Sequence, residues 1–497
     1  MKYKLFSNSH SLFVWAAVLL FLLAGSATAA IDGISGTGTG TPADPVTFDL
    51  TVKMNAISTA DGGSVVFWGY ADTSVPPSNA NRPQYPGPTL IVEQGQTVEI
   101  ILTNELELLT GATPNVSIVF PGQQVTATGG VSGLLTREAQ TTDVPGTPED
   151  ESLVTYTFIA TNPGTYMYHS GTRPELQVEM GLLGALIVRP AGFNPLNPTA
   201  YGPGTEYDRE FLFLLSEMDP LIHETVFAYG PDAPELMETD ALSDYFSKYW
   251  FMNGRTAPDN MGNAGESAGS LLLYQPYNSL PRMHPGERML MRVIGGNREM
   301  HPFHHHGNHA RVIARDGRLL DTGTGGPLAP GEDPDLSFEV FTINSVPGET
   351  VDAIFEWTGK GLNWDVYGVS DDPQFATDPP LPHDCTDLVD NETGVAPPDG
   401  YGDPGTDTPW EYCADHLKMF PTLLPQKLDL AFGGWYGGSP FLGSMGALPP
   451  GEGGLNPNGG FSYMWHSHTE KELTNFDIFP GGMLTMLIIE GWNVDID

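Results

Sequence analysis

An all-β fold, built as two copies of one sandwich unit, is predicted from three observations. Glycine and proline are abundant and scattered, 59 and 44 of 497 residues. Short alternating or apolar runs of strand length fill the intervals between them. Two long stretches of the chain also repeat one another in order and spacing.

The elements follow in chain order. Residues 1–30, "MKYKLFSNSHSLFVWAAVLLFLLAGSATAA", read as a secretory signal: Lys2 and Lys4 form a basic end, Leu12 to Leu23 an apolar stretch, and small residues precede a cut near Ala29 or Ala30. A transmembrane anchor is the competing reading, but the apolar run is short for one. No later stretch is long and apolar enough to span a membrane. The expected mature protein is exported, to a periplasmic or extracellular location.

"VTFDLTVKMNAI", "GPTLIVEQGQTVEIILTN", "VTYTFIAT" and "GALIVRP" read as strands. "DALSDYFSKYWF" (240–251) is the helical candidate. The repeat pairs "NPGTYMYHSGTRPELQVEMGLLGALIV" (162–188) with "NGGFSYMWHSHTEKELTNFDIFPGGMLTMLII" (458–489). Upstream, "PTLIVEQGQTVEIILTN" (88–104) pairs with "SLPRMHPGERMLMRVIG" (279–295). Two β-sandwich domains are expected, at 45–192 and 205–492, the second carrying a loop insertion at about 371–460. That insertion holds the two cysteines, Cys385 and Cys413, for which a disulfide is expected in an exported chain. Its "DCTDLVDNETG" is rich in carboxylates but lacks the EF-hand spacing for calcium.

Charge excludes one class of partner. The formal net charge is −40, so a phosphate backbone would be repelled and nucleic acid is not an expected partner. A solvated acidic surface is the plain reading; attraction of metal ions or cationic donors is the other.

The chemistry concentrates in "REMHPFHHHGNHARV" (298–312), which holds five of the 13 histidines. Buried imidazoles need partners, and a metal would supply one. Residues i and i+2 of a strand share a face. His304 and His306 therefore present two imidazoles together, as do His466 and His468, while His305 points away. Two such pairs on neighbouring strands make a nitrogen site suited to copper or zinc. Satisfied structural histidines are the alternative. Tyr166, Tyr168, Tyr463 and Trp465 flank these runs and are expected to pack in the core. His309 and His284 are read as surface groups, with support of the metal ligands from outside as the alternative, and His223, His383 and His416 are given no role.

On these residues the chain resembles the multicopper oxidases. "YPGPTLIVEQGQTVEIILTN" is similar to that family's first-domain opening, "HPFHHHG" to its His-Pro-x-His-x-His-Gly run, and "YMWHSHTEKEL…GGMLTMLII" to its final His-Cys-His strand and loop. The resemblance implies cupredoxin-like Greek-key sandwiches, copper as cofactor, a small-molecule or metal-ion electron donor, and a homotrimer. It matches His304, His306, His466, His468 and His169 to ligands of the three-copper oxygen site, and His301 to a ligand of the blue copper. It also exposes departures. Val119, Pro121 and Gly171 stand where histidines would be. Ser467 replaces the blue-copper cysteine and Glu472 its second histidine. The expectation is a reduced copper centre on an oxidoreductase without normal laccase activity; a non-catalytic copper-buffering protein of the cell envelope is the alternative.

Overall fold

The computed structural model describes residues 31–74, 81–142, 150–234, 236, 244–262, 272–358, 438–440, 461–490 and 496. The signal segment, Cys385, Cys413, His383, His416 and nearly all of the expected insertion lie outside the described residues.

The described residues are mostly β-strand with few helices, in the expected cupredoxin-like sandwiches. The first sandwich uses β1 (Val46–Ser58), β2 (Ser64–Asp72), β3 (Gly87–Glu93), β4 (Thr97–Asn104), β5 (Leu153–Ile159), β6 (Gly164–His169) and β7 (Leu183–Arg189). One sheet runs β2–β1–β4–β5 and the other β3–β7–β6, each with a short extra strand at its edge. The second sandwich uses β8 (Arg209–Met218), β9 (Tyr249–Met252), β10 (Arg282–Met283), β11 (Arg288–Gly295), β12 (His301–His305), β13 (Ala310–Arg315), β14 (Thr342–Ser345), β15 (Thr350–Glu356), β16 (Phe461–Ser467) and β17 (Leu484–Ile489). Its sheets run β9–β8–β11–β15–β13 and β10–β17–β16–β12–β14, again with short edge strands.

The sequence repeat is thus also a repeat of topology. In both units a parallel pair sits beside an antiparallel one: β1 with β4, then β4 with β5, in the first; β8 with β11, then β11 with β15, in the second. The histidine-bearing hairpins correspond as well, β6–β7 to β16–β17.

Alternation along the strands shows why these apolar runs are nearly continuous. Leu186 and Val188 of β7 face the first core, whereas Ala185 and Ile187 face a separate cluster between the two sandwiches. On β8, Phe213 and Leu215 face the second core, while Leu212 and Leu214 meet that same shared cluster. Sheets covered on both faces need apolar residues at odd and even positions alike. Each such side chain, fully buried, contributes roughly 1.5–3 kcal/mol. Buried charges cross the same boundary. Glu210 of β8 pairs with Arg189 of β7, and accepts from Arg292 Nε at 3.0 Å. Arg292 Nη1 donates to Thr165 Oγ1 of β6 at 3.0 Å. The orientation of the two sandwiches is therefore pinned by apolar packing and by ion pairs that would be costly to break singly.

The expected helix at 240–251 is not formed among its described residues. Tyr249–Met252 is strand β9, because "YWFM" is buried at all four positions and pairs with β8. Asp219 instead caps a helix over Pro220–Tyr229, accepting from Leu221 N at 2.9 Å, with Pro220 in the first turn. His223 lies on this helix, where its Nδ1 meets Val66 O, so it is structural. His284 is not a surface group: it is 6% exposed and bonds Glu287 Oε1 at 3.1 Å. His309 is half-buried, its ring against Phe341.

Candidate metal centre

The strand β12 carries the histidine run, and its alternation sorts the side chains. Residues 301, 303 and 305 face the core: His301 and Phe303 are fully buried and His305 nearly so. Phe303 packs against Phe213 and Trp465, and His305 against Phe355 and Trp465. The even positions face the other side of the sheet, where His304 is still buried. His304 sits directly across from His466 of β16, and Phe303 across from Ser467. The strand pairing therefore places the two histidine pairs together, and His468 N extends it by donating to Pro302 O at 2.9 Å. Trp465 Nε1 donates to His306 O at 2.9 Å, tying the end of the run to the core. Tyr168, Tyr463 and Trp465 are fully buried and Tyr166 nearly so.

Four imidazoles gather as a result. His304, His306 and His466 each bring a ring nitrogen within 4.8 Å of the others. The His468 ring stands 4.9 Å from that of His304 and 5.6 Å from that of His466, centroid to centroid, on a more exposed side chain.

The surroundings suit these rings to a metal. His466 Nδ1 lies 2.6 Å from the carbonyl of Ser467. A carbonyl only accepts, so Nδ1 carries the proton and Nε2 keeps its lone pair. His304 Nδ1 is 2.8 Å from Thr342 Oγ1, which likewise orients its ring. Burial, reinforced by His306, His466 and His468, lowers the His304 pKa to about 4. Burial also lowers that of His466. Neutral imidazoles are what a soft or borderline divalent cation needs.

His169 has the same local geometry in the first unit. Its Nδ1 is 2.9 Å from the carbonyl of Ser170, and burial lowers its pKa. It is not part of the four-histidine group. Across from it, in the position His304 takes opposite His466, stands Val119. Gly171 lies against this valine: a Cβ there would come 2.7 Å from Val119 Cγ1. The apolar side chain closes the space a second imidazole would use.

His301 is also apart, and for a different reason. Its Nδ1 is 2.9 Å from Glu472 Oε2 and its Nε2 2.9 Å from Glu217 Oε2. All three side chains are buried. Burial alone would depress the imidazole, but the two carboxylates outweigh it and push the pKa up to about 9. Burial raises that of Glu217 despite its bond to His301. Both ring nitrogens of His301 are thus committed to protons, and the carboxylates lie on opposite edges of the ring, unable to converge on one ion. Ser467, in the position expected for a thiolate, accepts from Thr469 N at 3.2 Å. A 340 Å³ cavity opens beside Glu472, lined also by Ser247, Trp250, Glu299, Met300, Thr469 and Lys471. Sequence reasoning missed Glu217. The available signal was an acid inside the otherwise apolar "FLFLLSEM", since a carboxylate is almost never buried without a partner.

The first unit is also similar in sequence to known proteins. Residues 75–192 match the family model described as multicopper oxidase. A stretch of 109 residues, 21% of this chain, is 38% identical to multicopper oxidase VdtB of Byssochlamys spectabilis, and covers only 13% of that protein. Solved structures with similar chains include a multicopper oxidase, mgLAC (TM-score 0.47, 17% identity, 91% of this chain and 87% of the other). Another is a blue copper oxidase from Nitrosomonas europaea (TM-score 0.47, 16% identity, 89% and 85%). Residues 75–192 are thus similar to a multicopper oxidase domain. Copper is the cofactor that this family implies, and the neutral, pre-oriented imidazoles of the second unit fit it.

Proposed function

We propose that this chain is an exported copper protein and an oxidoreductase of multicopper-oxidase type with a reduced copper centre. Its two domains, at 45–192 and 205–492, would present one histidine-built site, held by His304, His306 and His466 with His468 as the fourth ligand. Copper bound there supplies a one-electron redox couple. The observation that carries the reading is the convergence of three ring nitrogens within 4.8 Å, with Thr342 and the Ser467 carbonyl orienting two of the rings. The electron donor, a small molecule or a metal ion, would act without a blue copper, since Ser467 offers no thiolate and His301 no free nitrogen. His169 would add a ligand only from a second copy of the chain, as a homotrimer provides. Export rests on residues 1–30; among the described residues no helix is long and apolar enough to cross a membrane.

A second reading is copper buffering in the cell envelope without turnover, and the commitment of His301 to two carboxylates favours it. Metal analysis of the purified protein together with oxygen uptake on donor addition separates the two. Copper with donor-dependent oxygen uptake supports the oxidoreductase; copper without it supports buffering. Absence of copper, or retention of full copper by His304→Ala, sinks both.

A further inference from the structure

The Glu217–His301–Glu472 group lies where the resemblance expects a metal, and its connections reach the proposed copper ligands. His301 opens strand β12, three residues before His304. Glu472 lies in the short 3-10 turn at Glu470–Leu473, four residues after His468. The His301–Glu472 bond is therefore a side-chain cross-link between the two segments that bear the four histidines. Glu217 ties this link to the sheet opposite: it is the second-last residue of β8, and its Oε1 also accepts from Arg298 N at 2.8 Å and Glu299 N at 3.0 Å, just ahead of His301. On the other side the turn is anchored by Glu472 N donating to Thr469 O at 2.8 Å, and by Glu472 O accepting from Met483 N at 2.8 Å. Three segments distant in sequence thus meet on one imidazole.

We infer that Glu217, His301 and Glu472 form a metal-free clamp that takes the place of a second metal and sets the spacing of the four-histidine site. The inference rests on the reading of that site as a copper centre. Two physical points support it. An imidazole bonded on both edges by carboxylates has its position and rotation defined, as a metal would define them, and charge-assisted bonds of this kind are the strong ones. Outer groups bonded directly to metal ligands typically change metal affinity 10–100-fold when removed, and the clamp acts one step further out, on the segments that carry the ligands. The clamp residues do not touch the copper; they act through the backbone of 301–306 and 466–472, as positioning residues.

The test is a copper(II) competition titration with electron paramagnetic resonance on the full-length protein and on His301→Gln, Glu472→Gln and Glu217→Gln. The expected result is one copper in every protein, with affinity lowered at least tenfold in each variant and a shifted copper hyperfine splitting. Unchanged affinity and an unchanged spectrum, with only the melting temperature lowered, would reduce the group to a stability element and overturn the clamp. Loss of a second copper on His301→Gln would overturn it too. If no copper binds the unmodified protein, the four-histidine reading falls and the clamp with it; equal binding by wild type and variants brings down the clamp alone. Should the variants fail to fold, nitrogen-15 histidine spectra of the unmodified protein decide. One histidine must keep both ring nitrogens protonated at neutral pH, with and without zinc(II) as a diamagnetic probe; disappearance of that signal on zinc loading overturns the proposal.

Discussion

The hairpins β6–β7 and β16–β17 share pairing, sequence pattern and even the bond from a histidine Nδ1 to the next carbonyl, at 2.9 Å for His169 and 2.6 Å for His466. They differ in what stands across the ladder. Opposite His466 is His304, with His306 and His468 beside them; opposite His169 is Val119, with Gly171 closed against it. One backbone therefore supports a convergent nitrogen cluster in one copy and an apolar contact in the other. The sandwich supplies the position, and the side chains facing each other across two strands decide whether a metal can be held.

The largest expected effect breaks this asymmetry directly. His304→Ala or His466→Ala should weaken copper binding by about a hundredfold or more, because an inner ligand matters more than the orienting groups around it, whereas His169→Ala should leave the copper of an isolated chain in place. Copper content after dialysis against a chelator is the measurement. In the unmodified protein mild acidification should leave His304 free of proton competition for copper, since burial lowers its pKa to about 4.

The clamp has a pH signature of opposite sign. The folded pKa of His301, about 9, exceeds the unfolded value, so its stabilisation is fully present below about pH 6.5 and is lost as the pH rises through 9. The loss should amount to up to about 3 kcal/mol, read as an alkaline fall in melting temperature that His301→Gln does not show. A further substitution addresses the first unit. Gly171→His alone should destabilise by about 1–3 kcal/mol, since its Cβ meets Val119, and should add no copper to that held by the second unit; Gly171→His with Val119→His should recover part of that stability. Thermal unfolding with and without copper measures both. The smallest expected effect is none at all. Ser467→Cys should not produce an intense blue band on copper loading, because Glu472 still holds His301; adding Glu472→His frees one nitrogen and has the better prospect. Visible absorption checks this, and a strong blue band from the unmodified protein would refute the reading of the second unit.

Much of this architecture was legible in the chain because strand alternation and a repeated pattern are local properties. The His-x-His pairs at 304/306 and 466/468 follow from a period of two, and so does the inward turn of His305. The same rule, applied to His301, already separates it from the pairs on the other face, since 301 shares a face with Phe303 and His305. What took its place could not be read: Glu217 lies 84 residues from His301 and Glu472 171 residues away, and only the packing of β8 and the 3-10 turn around β12 unites them. The helical reading of 240–251 failed for a related reason, because "YWFM" buries all four side chains on pairing with β8, and that partner is a tertiary fact. The residues alone determined which side chains could bind a metal and which face of their strands they occupy. Tertiary structure decided which nitrogens are left to do so, because hydrogen bonding to a carboxylate and coordination of an ion compete for the same lone pairs, and that competition is settled by whatever distant segment arrives at the ring.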